Sequence, residues 1–143
     1  MVLDPNIKFP PHGSSRFERR GQLLLLYSRG PFNAEHIQSL VASFREHAAA
    51  LKPRGPWASI NLVTGSIMAT PEAIEALRRS ALWAHQELGR VAIAYAVAED
   101  VEGRVLMAPS ILESGQGVVP VGLFRSYAEA EAWALQQLAP APA

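Results

Sequence analysis

Gly89-Arg90-Val91-Ala92-Ile93-Ala94-Tyr95-Ala96-Val97-Ala98 decides how this chain folds. From Val91 to Ala98 no residue is charged and apolar positions do not alternate with polar ones. Such a strand belongs in the middle of a parallel sheet, with helices over both faces. Gly89 stands where a left-handed residue closes a helix, so Arg90 opens the strand directly after one. That helix begins at Thr70-Pro71-Glu72: a capping hydroxyl, a proline at the first helical position and an acid at the positive end of the dipole. Its stripe of Ile74, Leu77, Ala81, Ala84 and Leu88 recurs at steps of three, four and seven. Upstream, Trp57 to Val63 reads as a further strand, with Ala58, Ile60 and Leu62 on one face and Ser59 and Asn61 on the other. Its second face is therefore only partly apolar.

Outward from this centre, Ser15 to Arg19 and Gln22 to Ser28 form a hairpin about Arg20-Gly21, where glycine supplies the positive φ of a tight turn. Leu23 to Leu26 is apolar without alternation, which fits an interior strand, although four leucines alone read equally well as helix. A helix is expected from the capping amide of Asn33 through Ile37, Leu40, Val41, Phe44, Ala48 and Leu51, until Pro53 and Gly55 stop it. Val101, Val105, Leu106 and Leu112 suggest one or two helical turns while Gly103 and Pro109 argue against a long helix, so a short helix is expected from about Val101 to Ala108. Val118 to Phe124 is the last strand, and Pro120, with no amide proton, places it at a sheet edge. Ser126-Tyr127-Ala128-Glu129 is a capping box that starts a helix with Ala130, Trp133, Ala134 and Leu138 inward. The reading is an α/β sandwich with a mixed five-stranded sheet and four helices, in the order β-β-α-β-α-β-α-β-α. One domain is expected over residues 15–138, between a flexible arm (1–14) and a disordered tail (139–143).

Composition narrows the class. Among 143 residues 49% are hydrophobic and 18% charged, below the roughly 25% of an average globular protein, so charge-driven disorder is excluded. Thirteen Lys and Arg balance thirteen Asp and Glu, which gives no electrostatic reason to expect nucleic acid or an acidic membrane as partner. The absence of cysteine removes disulfides, thiolate catalysis and thiolate metal sites. Met1 to Pro11 has neither the apolar centre of a signal peptide nor the pattern of a transit helix, and no apolar run nears the ~20 residues that span a bilayer. A cytoplasmic protein is expected.

The opening hairpin, Gly30-Pro31-Phe32-Asn33 before the first helix, Arg90-Val91-Ala92-Ile93 after the second, and Phe124-Arg125-Ser126 ahead of Glu129-Ala130 and Ala132-Trp133 together resemble the STAS domain. Within it the chain is most similar to the SpoIIAA-like proteins, relatives of the anti-sigma factor antagonists. The resemblance runs from Phe17 to Leu138 and implies a fold and a binding or regulatory role, since none of these pieces is a catalytic signature. Antagonists of this kind carry a phosphorylatable serine inside an Asp-Ser-Ser/Thr-Gly pattern near the junction that here reads Thr64-Gly65-Ser66. Ser66 is thereby the phosphorylation candidate, in a chain that lacks the preceding aspartate.

Candidate chemistry is sparse. His36 and His47 stand eleven apart on one expected helix, about 16 Å of rise, and His12 and His85 lie elsewhere, so no metal site or acid–base pair is expected. No Gly-x-Ser-x-Gly elbow, phosphate loop or Gly-x-Gly-x-x-Gly occurs, and Gly115-Gln116-Gly117 reads as a turn. No catalytic residue and no cofactor is therefore assigned. Arg16, Arg19 and Arg20 read as a solvated edge strand. The turn from Val63 to Pro71 lies beyond the carboxyl end of a central strand and at a helix N-terminus, where amides favour anions. Ligand or partner binding is expected there, through Thr64, Gly65, Ser66, Met68 and Thr70, with Trp83 beside it. The occupant is a regulatory protein or a small ligand; the alternative is an apolar-ligand carrier or enzyme with a pocket near Met68 and Trp83. Leu82 and Trp83, at the edge of the buried face, add the expectation of a homodimer.

Overall fold

The computed structural model describes residues 13–139. The expectations for residues 1–12, His12 among them, and for residues 140–143 lie outside the described residues. The elements are β1 (Ser14–Arg20), β2 (Leu23–Arg29), α1 (Ala34–Ser39), α2 (Val41–Leu51), a 3-10 turn (Lys52–Arg54), β3 (Trp57–Thr64), α3 (Pro71–Leu88), β4 (Arg90–Val97), α4 (Arg104–Glu113), β5 (Val121–Phe124) and α5 (Tyr127–Leu138). The sheet order is β1-β2-β3-β4-β5, with β1 antiparallel to β2 and every later pair parallel. This is the mixed five-stranded α/β sandwich that the sequence predicts.

Crossovers between parallel strands are right-handed, so successive ones that advance the sheet in one direction stack their helices on one face. Ala48 and Leu51 of α2 and Ala84 and Leu88 of α3 pack with Leu24 and Trp57; Ala81 of α3 and Met107 and Ile111 of α4 pack with Val63, Ile93 and Val97. On the opposite face α5 lays Ala130 and Ala134 on Leu25, Ile60, Ala92 and Ala94. The uncharged stretch is thus covered on both sides, as its composition requires.

Three boundaries differ from the expectation. The first helix is two: at Leu40 the ladder tightens, its N–H bonding the Ile37 carbonyl three residues back at ψ −12°, so the described residues hold five α-helices rather than four. The expected Val101–Ala108 helix starts later, at Arg104, because Glu102 is held in a bridge to Ser66 and Gly103 takes φ +81°. It also runs through Pro109. The carbonyl that proline leaves without a donor belongs to Val105, a residue 86% exposed, so the cost of that break is small. Finally, β5 is only Val121–Phe124; Pro120, unable to donate, stays outside it and accepts from the Ile93 N–H.

The helix ends follow local chemistry. Asn33, Thr70 and Ser126 cap α1, α3 and α5 by accepting from the backbone N–H groups of His36, Ala73 and Glu129. Gly30 is needed for closeness: a Cβ there would stand 2.1 Å from the Ser66 carbonyl oxygen.

Candidate functional site

Alternation along β3 sends Ala58, Ile60 and Leu62 toward α5 and Trp57, Ser59, Asn61 and Val63 toward α2 and α3. On β4, likewise, Ala92, Ala94 and Ala96 face α5 while Ile93, Tyr95 and Val97 face α3 and α4. The α5 face is filled by small side chains against leucines. On the other face the polar residues of β3 leave a gap. A cavity of about 360 Å³ opens there between α1, α2, α3 and the sheet, within the roughly 300–1,000 Å³ of small-molecule sites.

Its apolar wall includes Leu24, Leu26, Phe44, Leu77 and Trp83. The Phe44 ring organises one side, 6.3 Å from Phe17, 5.8 Å from Trp57 and 6.1 Å from Trp83 between centroids. Its polar residues on the sheet are Ser59, Asn61, Tyr95 and Arg90, and Gln38 of α1, Ser80 of α3 and Ser114 after α4 add to them. A register shift between Trp57 and Ala58 accompanies the pairing of Trp57 with Arg90 at the mouth of β4.

Arg90 is the unusual group. It is 5% exposed, donates from Nη1 to Ser59 Oγ at 3.0 Å, and lies 5.2 Å from the centre of the Phe44 ring. Its Nε is buried without a hydrogen-bond partner, and among the described residues it is in no ion pair. Burial pulls its pKa down to about 10, opposed only by Tyr95, so at neutral pH it stays charged. Burial also raises the Tyr95 hydroxyl, against the opposing pull of Arg90 and a hydrogen bond with Asn61. Arg45 and Arg79, both exposed, line the same cavity, and no carboxylate does. In a chain with as many acids as bases, that is a local excess of positive charge.

The residues singled out from sequence do not form one site. Thr64 and Gly65 are exposed at the end of β3, Gly65 with φ +73°. Ser66 is 5% exposed and fully engaged: its hydroxyl donates to Glu102 Oε1 at 2.8 Å and accepts from the Met68 N–H at 3.1 Å. Ile67 N–H and Glu102 N–H tie the turn to its neighbour, Phe32 and Ala69 form a second bridge, and Thr70 spends its hydroxyl on the α3 cap. Met68 packs against Gly103 and does not line the cavity. Trp83 does line it, thirteen residues and about 20 Å of helix from Thr70. One basic residue does come to the turn: Arg29, whose side chain lies beside Gly65, although it is distant in sequence.

The histidines stand apart. His36 is buried, stacked on Phe32 and hydrogen-bonded through Nε2 to Ser15, and its pKa is lowered by burial. His47 packs on Phe17, and His85 Nδ1 meets the Arg90 carbonyl oxygen. Among the described residues no group of three His, Asp or Glu would hold a metal. Arg20 pairs with Glu18 and donates to Tyr127, and Arg16 covers the Tyr27 ring. Sequence reasoning missed Arg90, Ser59 and Asn61 as a set. The signals were there: a half-polar face on β3 and a lone charge opening an uncharged strand.

No family model and no curated protein matches the chain. A solved structure does: an uncharacterised protein of the DUF3478 family from Shewanella loihica PV-4, with a SpoIIAA-like fold. It is 12% identical, has a TM-score of 0.60, and the match covers 93% of this chain and 99% of that one. Agreement over that length at so low an identity is agreement of fold, and the chain has the SpoIIAA-like fold that its sequence resembles.

Proposed function

We propose that this protein is a non-enzymatic binding module of STAS type whose ligand is a small, mainly apolar molecule seated between α2, α3 and the sheet. The observation that carries this is the cavity of about 360 Å³ with aromatic and aliphatic walls and a few convergent polar groups. It favours the carrier reading over binding at residues 63–71, where the hydroxyls of Ser66 and Thr70 already bond within the fold. It also favours binding over catalysis, because Ser59, a buried hydroxyl lining the cavity, has a guanidinium as its neighbour and not a base.

A neutral probe tests the reading. N-phenyl-1-naphthylamine brightens in an apolar enclosure, and the full chain is expected to take it up saturably at one site per molecule. Ala76→Phe, which extends a ring from α3 into the cavity, is expected to abolish that uptake while the far-ultraviolet circular dichroism is unchanged. Non-saturable uptake, or uptake equal in the variant, would overturn the reading.

A further inference from the structure

Resting on the cavity reading above, we infer that the natural ligand is a monocarboxylate with an apolar body, its head group on Arg90 and its body against Phe44 and Trp83. Three observations carry this. Arg90 is 5% exposed, reaches the cavity, and has one donor on Ser59 Oγ while its Nε has no partner. Buried charges are ordinarily paired, and a guanidinium presents its donors as a planar fork that matches a carboxylate. No acid of the described residues supplies that pair, and none lines the cavity, so the missing counter-charge fits a molecule from outside. The approach is also cationic: Arg45 and Arg79 line the cavity from the exposed sides of α2 and α3, Arg45 lying 5.1 Å from the centre of the Trp83 ring.

Head and body are bounded by the same facts. A single buried guanidinium balances one negative charge, and its neighbours on the sheet are neutral, Ser59, Asn61 and Tyr95; Arg45 and Arg79 stand on the exposed side, where water screens them, so the second charge of a phosphate would meet only screened partners. At about 30 Å³ for each water-sized atom, 360 Å³ encloses on the order of a dozen non-hydrogen atoms, and the half-open mouth lets the end of a larger molecule project beyond it. The enclosed part is a carboxyl group with about ten carbons.

Displacement of N-phenyl-1-naphthylamine from the full chain by decanoate, decanol and decyl phosphate, below their micelle concentrations at neutral pH, tests this. Decanoate is expected to bind about tenfold or more tightly than decanol, the worth of one charge-assisted hydrogen bond, and more tightly than decyl phosphate. Arg90→Met is expected to lose the preference, its affinity for decanoate falling about tenfold toward that for decanol. Equal affinity for decanoate and decanol, with the probe still bound, would overturn the carboxylate and leave the apolar site standing. Tighter binding of decyl phosphate overturns the choice of head group, and a preference that survives in Arg90→Met overturns the role of Arg90. A chain that never binds the probe takes both readings down. Should Arg90→Met not fold, Arg90→Lys keeps the charge and loses the fork; its preference is expected to fall severalfold, and an unchanged preference counts against the inference.

Discussion

Replacing Arg90 by methionine, nearly its equal in length and without charge, should leave the unliganded protein about as stable as before. Burial lowers the Arg90 pKa from its ordinary value to about 10, and at 1.36 kcal/mol per unit the charged form costs the fold about 3 kcal/mol at neutral pH. Against that stand the hydrogen bond to Ser59, about 1.5–3 kcal/mol for a charged donor, and the Phe44 ring, about 0.5–1 kcal/mol. The difference falls within roughly 1 kcal/mol of zero, whereas truncation of an ordinary large buried side chain costs about 2–5 kcal/mol. Urea unfolding of wild type and Arg90→Met, with the slopes compared, measures it. The sign has a pH signature. The folded pKa lies below the unfolded one, so the unfolded chain holds the proton longer and wild type gains stability relative to the variant as pH rises above about 10. A loss above about 2 kcal/mol in Arg90→Met would refute the reasoning and make Arg90 a structural anchor.

Three further outcomes follow from the site and its surroundings. Ser66→Ala removes a buried hydroxyl that holds both the Met68 N–H and Glu102, and should lower unfolding stability by about 1–3 kcal/mol without changing uptake of the neutral probe. Thr70→Ala deletes the acceptor of the Ala73 N–H and should cost about 1 kcal/mol in the same assay. Burial lowers the His36 pKa below 6.5, so the unfolded chain takes up that proton first; stability should be full above 6.5 and fall as pH drops below it, and His36→Gln should flatten the dependence of the urea midpoint on pH.

The sheet was legible because each strand carries its environment in its composition. Val91 to Ala98 has no charge since both faces are covered, and the leucines of β2, ambiguous alone, are settled by a hairpin before them and a capped helix after them. Caps were legible for the same reason, since Asn33, Thr70 and Ser126 act on neighbours three residues away. Breaks were not. The pause at Leu40 depends on ψ at one residue inside a continuous apolar stripe, and periodicity has no term for that. The start of α4 is fixed by a pairing of Glu102 with Ser66 across 36 residues, which no local pattern contains. The turn at 63–71 was rightly placed at a strand end. What could not be read was that the Ser66 hydroxyl is engaged by Glu102, 36 residues away, while Arg29, absent from the turn's sequence neighbourhood, sits beside it.

Why the cavity opens on one face only is a matter of side-chain volume. Toward α5 the central strands present Ala58, Ala92, Ala94 and Ala96, and α5 answers with Ala130 and Ala134, so backbone approaches backbone and the layer closes. Toward α2 and α3 the same strands present Ser59 and Asn61, which are too small to fill the space beneath aromatic Phe44 and Trp83 and too polar to be buried without partners. Arg90 supplies a partner for Ser59 and thereby brings a charge that no acid among the described residues meets. A core built for stability alone would place leucine at Ser59 and methionine at Arg90, and the gap would vanish. That the sequence keeps a hydroxyl, an amide and a guanidinium along this cavity, with Arg90 Nε left without a partner, is the feature on which the proposed ligand site rests.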